Sequence, residues 1–271
     1  MSLRVGIRVI VSAAVAMMIA SSPALSGTLK VGGTGAATAL LDQLSPVFEA
    51  ETGIKLEVIA GIGTSGANKA VADSKLGLSF AGRDLRDKEK EQGLKVAASY
   101  RTPFGLVTSR AGSDNLKSSE IVAIYQADSP VWPDGTPIII NLRPADESDN
   151  VVMEEYFPGM AQALQRLRRR RDLSIAATDQ DNADVAERIK GSLTGVTLVQ
   201  MVTEKRNLRF VSIDGVSATL ENYRNGSYPY GKSLYVIVPS TISPEAEAFL
   251  AFLAGPAGQA LMREAGMIVG K

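Results

Sequence analysis

The sequence predicts an α/β chain of two similar lobes, and two observations carry that expectation. Strand-like and helix-like segments alternate from residue 28 to the C-terminal end, the rhythm of a parallel sheet covered by helices. There is also no internal repeat and no low-complexity linker. Alternation throughout fits two similar lobes better than a sandwich or a bundle.

The elements follow in order. TLKVGG (Thr28 to Gly33) is a short strand stopped by glycine. ATALLDQLSPVFEAETG sets Leu40, Leu41, Leu44, Val47 and Phe48 at helical spacing and ends at Gly53, a helix with its stop signal. IKLEVIA is a second strand, ANKAVADSKLG a short helix and LSFAG (Leu78 to Gly82) a third strand. DKEKEQG is a charged helix with a solvated face. KVAASYRTPFGLVTS is strand-like but broken by Pro103 and Gly105. SSEIVAIYQ is a helix, and DGTPIIINLRP a turn leading into a strand that ends at Arg143.

Residues Val151 to Arg171 are mostly helical, with a break at Pro158-Gly159. The run Arg168 to Arg171 reads as a solvated helix end, because basic side chains suit a helix C-terminus. SIAATDQDNADVAERIKG reads as a strand, an Asx-rich turn and a helix with Asp181 or Asn182 near its cap. SLTGVTLVQM is another strand. GVSATLENYRNGSYPYGKSLYVIVP is a helix, a turn and a strand beginning after Pro229, and two helices split at Gly255-Pro256 close the chain.

The first 26 residues have the layout of a secretory leader. Arg4 and Arg8 precede the apolar run Val9 to Ala20, and small residues lead to an expected cleavage after Ser26. The apolar run is shorter than the ~20 residues a membrane span needs. Periplasmic localisation is the expectation. The chain has no cysteine, so its stability must come from a core and not from disulfides.

With no histidine either, Ser-His and Cys-His nucleophile pairs and most zinc sites are excluded. No acidic cluster has ion-binding loop spacing, so neither a metal nor another cofactor is expected. Twenty-nine basic and 29 acidic side chains give a formal net charge of +0, no footprint for nucleic acid. Binding is expected, not catalysis. A hydrolase using Asp or Ser, and a structural surface protein, are the competing readings.

GIGTSGANK (Gly61 to Lys69) concentrates small polar residues and bare amides between a strand and a helix start. It reads either as a connecting loop or as a cradle for an anion, since a helix start presents unpaired N–H groups.

Taken in order, GGTGAATALL, GIGTSGANK, LSFAGRDL, IYQADSPVWPDGTPI (Ile124 to Ile138), NLRPADESDN and YPYGKSLYVIV resemble the periplasmic phosphate-binding proteins of bacterial ABC transporters. The likeness covers nearly all of the chain beyond the leader. It implies the two-lobed type 2 periplasmic-binding-protein fold, with two hinge strands and a ligand cleft between lobes. One lobe would comprise residues 27–102 and 230–271 and the other residues 103–229, with crossings in RTPFGLV and YPYGKSLYV. The implied partners are phosphate or a related oxyanion and a membrane permease. A membrane sensor kinase and another oxyanion or organic phosphate are the alternative, and a monomer is expected.

The resemblance also implies the site. The loop of Gly35, Ala36, Ala37 and Thr38 would give backbone amides, and Thr64, with Ser65 and Gly66, a ligand hydroxyl. Arg143 would be the positive partner, donating a paired fork to two oxygens, so Arg143→Ala should weaken anion binding with little change in fold. Ser148 and Asn150 would donate from the opposite lobe. Asp84 would accept a proton from phosphate and so penalise fully ionised sulfate; its other reading is a helix cap.

Departures from the family pattern are Arg83 beside Asp84, Asp149 between Ser148 and Asn150, and Ala37-Thr38 where an aromatic wall is usual. Arg83 and Asp149 are counted with the ligand-binding candidates: Arg83 could bind the anion, pair with Asp84 or face solvent, and Asp149 adds an acid where donors are expected.

Overall fold

The computed structural model describes residues 27–270, and the expected leader lies outside them. Strand β1 (Gly27–Gly33) pairs in parallel with β2 (Ile54–Ile59) and β3 (Leu78–Ala81), joined by crossover helices α1 (Thr38–Thr52) and α2 (Gly63–Ala72). Helix α1 buries Leu40, Leu41, Leu44 and Phe48, the stripe read from the sequence, and Gly53 closes it at φ 75°.

After the short α3 (Asp87–Glu91) comes β4 (Lys95–Thr108), a single strand of 14 residues. The sequence predicts an interruption at Pro103 and Gly105, and none is present. The reason is a change of partner. Residues up to Pro103 pair with β10 (Gly231–Val238), and Phe104 onward pair with β7 (Ser192–Thr197). Pro103 sits at the changeover, where a missing N–H costs the ladder least. Gly105 leaves room for Tyr228, whose hydroxyl donates to the Phe104 carbonyl at 3.0 Å; a Cβ there would lie 2.8 Å from that oxygen.

The middle of the chain holds β5 (Asn115–Leu116), α4 (Ser118–Gln126), β6 (Ile139–Ile140), α5 (Ser148–Tyr156), α6 (Met160–Leu167) and α7 (Asp179–Arg188). Strand β6 is shorter than expected and stops before Arg143; the SIAA segment makes only the bridge Leu142–Ile175. Thr178 caps α7, and Asp181, three residues on, returns the bond of a capping box. The predicted strand SLTGVTLVQM splits. Its second half is α8 (Leu198–Thr203), with Thr197 accepting from the Gln200 N–H at 3.4 Å.

Short β8 (Arg209–Phe210) and β9 (Ser212–Ile213) and helix α9 (Leu220–Arg224) precede β10. Helices α10 (Pro244–Ala254) and α11 (Pro256–Glu264) split where the sequence places the break, and β11 (Ile268–Val269) pairs with β4. The main sheet runs in the order β2-β1-β3-β10-β4-β7-β6.

Two large apolar clusters lie along that sheet. One packs Val31, Phe48, Phe80, Val236 and Phe249; the other packs Phe104, Ile121, Trp132, Phe157 and Tyr228. Trp132 is fully buried, its indole N–H donating to the Gly191 carbonyl at 3.1 Å. Val199 of α8 joins the first cluster, although Leu193 of the preceding strand packs in the second. Strand β4 runs from one cluster to the other, giving Tyr100 to the first and Phe104 and Leu106 to the second. No described helix is long and apolar enough to cross a membrane.

Candidate functional site

The C-terminal ends of β1 and β3 and the starts of α1, α5 and α7 face one another between the two cores. Open α/β sheets bind ligands outside the carboxyl ends of their strands.

On the first side, Thr34 to Ala37 form a tight turn leading into α1. The Ala36 N–H donates to Asp179 Oδ2 at 2.8 Å, and the Thr34 hydroxyl donates to the same oxygen at 3.2 Å. Gln180 Nε2 donates to the Gly35 carbonyl at 2.9 Å. Gly35 has to be glycine for this approach, because a Cβ there would stand 2.7 Å from Asp179 Oδ2. Thr64, in the first turn of α2, accepts from the Gly82 N–H at 2.9 Å and keeps its hydroxyl proton for another acceptor. Gly82 is equally crowded: a Cβ would lie 2.5 Å from Ser148 Oγ and 3.3 Å from Lys232 Nζ.

On the second side, Arg143 is buried at 5 % exposure among three carboxylates. Its Nη2 donates to Asp179 Oδ1 at 2.9 Å and lies 3.3 Å from Glu147 Oε2, Nη1 donates to the Ala176 carbonyl at 2.6 Å, and Nε lies 4.0 Å from Asp149 Oδ2. Lys232, on the buried face of β10, donates to Asp149 Oδ1 at 2.5 Å. Burial pulls the Lys232 ammonium down, but the charges of Asp149 and Asp179 more than offset it, and the net shift is upward. Burial pushes the Glu147 carboxyl up; Arg143 opposes that, while Asp179 and Asp149 add to it. Arg143 Nε and Ser148 Oγ are buried without a hydrogen-bond partner.

A cavity of about 100 Å³ opens between the sides, lined by Gly35, Gly61, Gly63, Arg143, Glu147 and Asp179 among others. Drug-sized sites run to roughly 300–1,000 Å³, so this space suits a small ion. A larger depression of about 530 Å³ beside Leu29, Val71 and Leu94 shares no lining residue with this cavity and gathers no carboxylate.

The structure thus brings Gly35, Ala36, Thr64, Arg143, Ser148 and Asp149 together. The Ala37 N–H is spent on the Thr34 carbonyl and the Thr38 N–H on Gly35, inside the turn itself. Asn150 Nδ2 is spent on the Pro144 carbonyl at 2.6 Å.

Arg83 turns away to Glu89, with contacts of 2.8 and 2.9 Å, and to Ser65 Oγ at 3.1 Å. Ser65 and Gly66 are exposed. Asp84 is exposed too, its carboxylate accepting from the Leu85 N–H at 2.6 Å. It does not cap α3 either, whose cap position is Arg86. Sequence reasoning missed Asp179, Glu147, Gln180 and Lys232. Only Lys232 carried a usable signal, a lysine in register with Leu234 and Val236 on an alternating strand.

Residues 19–257 match the family model described as the PBP superfamily domain. No curated protein matches the chain by sequence. Among solved structures, a phosphate ABC transporter substrate-binding protein from Clostridium perfringens, with bound phosphate, superposes with a TM-score of 0.76. It is 19 % identical, over 90 % of this chain and 100 % of that one. An ABC-type phosphate transport receptor from Vibrio cholerae gives 0.62 at 13 % identity, over 89 % and 100 %. The periplasmic molybdate-binding protein of Azotobacter vinelandii gives 0.58 at 14 %, over 90 % and 100 %. With its family model matched over most of its length, the chain belongs to the PBP superfamily, and it folds as the two-lobed type 2 periplasmic binding proteins do.

Proposed function

We propose that this protein captures a small oxyanion, phosphate first, in the cleft between its lobes and delivers it to a membrane permease. The observation that carries the reading is a pair of buried, unpartnered donors, Arg143 Nε and Ser148 Oγ, of which Arg143 lines the cavity of about 100 Å³, while Ser148 Oγ and the Lys232 ammonium crowd Gly82. Buried donors left without a partner cost roughly 1–3 kcal/mol each. An anion accepting from both would recover that cost. The phosphate and molybdate proteins that share the fold support the same class of ligand.

In this reading, Arg143 and Ser148 face the anion from one lobe, and Lys232, the Ala36 N–H and the Thr64 hydroxyl face it from the other. Asp84 and Arg83 take no part, one being exposed and the other committed to Glu89. The lobes are residues 27–102 with 230–271, and residues 103–229. The pairing of Pro103 with Gly231 supports that division. A leader over residues 1–26 would take a monomeric protein to the periplasm, and binding without catalysis is the activity.

The test is calorimetric titration of the chain from Gly27, refolded free of ligand, with phosphate, arsenate, molybdate and sulfate. Saturable binding of at least one of these is expected, with phosphate the tightest. Silence towards all four would refute the oxyanion reading.

A further inference from the structure

We infer that Asp179 is an internal competitor for the ligand, a carboxylate that occupies the oxyanion donors of both lobes and sets the affinity of the site. The inference rests on the oxyanion reading above for its ligand, but its geometry stands alone. Asp179 is 4 % exposed. One of its oxygens takes the Ala36 N–H and the Thr34 hydroxyl from the first lobe, and the other takes Arg143 Nη2 from the second. A carboxylate with two oxygens held by an amide, a hydroxyl and a guanidinium is bound as a small oxyanion would be.

The position is built for that contact. Thr178 and Asp181 form the capping box of α7, so Asp179 is free of capping duty and projects from the first position of the helix. Gln180 adds a bond to the Gly35 carbonyl, and its amide also donates to Glu204 Oε1 at 2.6 Å, which orients it. Gly35 provides the clearance. The α7 start is thereby fastened to the turn before α1, across the mouth of the cleft.

A ligand oxygen that is to reach the Ala36 N–H and Arg143 Nη2 must displace Asp179. Binding is then an exchange of one anion for another, in which Asp179 gives up the donors that the ligand takes. Apparent affinity falls by the fraction of molecules in which the donors are free. Removing the carboxylate frees them permanently.

The test compares the wild-type chain with Asp179→Asn and Asp179→Ala, using phosphate titration by calorimetry and small-angle scattering without ligand. Asp179→Ala is expected to bind phosphate at least about tenfold more tightly, a change of about 1.4 kcal/mol, and Asp179→Asn, which loses the charge but keeps one acceptor oxygen, more tightly than wild type by a smaller factor. Both should also show a larger radius of gyration when empty. Circular dichroism checks that each variant is folded, and the near-isosteric Asp179→Asn covers the event that the alanine variant is not.

Weaker phosphate binding in a folded variant would overturn the inference, because Asp179 would then be helping the ligand. Equal radii for the empty wild-type and variant proteins would overturn it as well. If no anion binds to any of the three proteins, the oxyanion reading fails, and the scattering comparison still decides whether Asp179 holds the lobes together.

Discussion

Replacing Lys232 by methionine removes one member of an ion pair that is almost fully enclosed. The Lys232 side chain is 1 % exposed and that of Asp149 10 %, and their charged atoms are 2.5 Å apart. Methionine keeps most of the volume, so the cost is electrostatic. Breaking a buried pair from one side typically costs about 3–5 kcal/mol. Here Asp149 retains a second cation, Arg143 Nε at 4.0 Å, which places the expected loss at the lower end, about 3 kcal/mol.

For a chain of this size, each kcal/mol moves Tm by about 2–4 °C. Lys232→Met should therefore melt roughly 6–12 °C lower, with a matching fall in the urea midpoint and an unchanged slope. Lys232→Met combined with Asp149→Asn should recover at least half of the loss, because no buried charge is left unpaired. The pH dependence has a definite sign. The Lys232 ammonium is raised in the fold above its usual 10.5, so its stabilisation is fully present below that value and disappears as pH rises through the folded pKa. Wild type and variant should converge in strongly alkaline solution. A single variant within about 1 kcal/mol of wild type at neutral pH, the range of a surface pair, would refute the enclosed-pair account.

The remaining predictions concern other charges. Arg143→Ala should abolish oxyanion binding in calorimetry, and it should also destabilise the fold by about 3–5 kcal/mol in urea. Three carboxylates surround Arg143, which is why a larger effect is predicted here than the little change in fold expected from the sequence. Glu147→Gln should raise Tm at pH 7, because burial makes the ionised Glu147 less favourable in the fold than in the unfolded chain. That gain should shrink as pH falls and the native carboxyl becomes protonated in both states.

Burial raises the Glu89 carboxyl, but hydrogen bonds from Arg83, the Arg86 N–H and Asn68 outweigh this and hold it down at about 2. Its stabilisation is present above the usual 4.5 and is lost as pH falls towards 2. Glu89→Gln should accordingly be less stable than wild type at pH 7 and show a flatter stability profile between those limits in acid titrations followed by circular dichroism.

What was legible in the sequence was local. The stripe of α1, its closing Gly53 and the break at Gly255-Pro256 need only neighbours along the chain to be read. Pro103 was misread because its effect depends on which strand lies beside it, and β4 changes partners there. The LVQM segment was misread because its branched residues suit a strand, whereas Thr197 and the contact of Val199 with the first core turn it into α8.

Asp179 was illegible for a stronger reason. An aspartate in the first turn of a helix is satisfied locally by the helix dipole, and nothing nearby announces a partner 143 residues away at Ala36. Arg83 and Asp84 sat next to the right glycine and pointed elsewhere. Glu89 draws Arg83 out of the cleft, and a helix read as purely solvated thereby fixes which charges reach the site.

The charges that do reach it explain why exchange is the natural mode of binding. Among the described residues, Asp149, Glu147 and Asp179 pair with Arg143 and Lys232 alone, so the cleft is no positive well awaiting an anion. Two like charges 4 Å apart repel by about 4 kcal/mol near a protein surface, and a second anion added beside Asp179 would meet that repulsion while finding Arg143 Nη2 already taken. An anion that replaces Asp179 takes over its donors and leaves the local charge nearly as before.

Asp149 and Lys232 fit the same logic, since each cancels the other and adds a fixed dipole without net charge. The whole chain, with 29 acidic and 29 basic groups, supplies little long-range attraction. Capture then depends on short-range donors, and the carboxylate that holds those donors in the empty protein governs how tightly any oxyanion can be held.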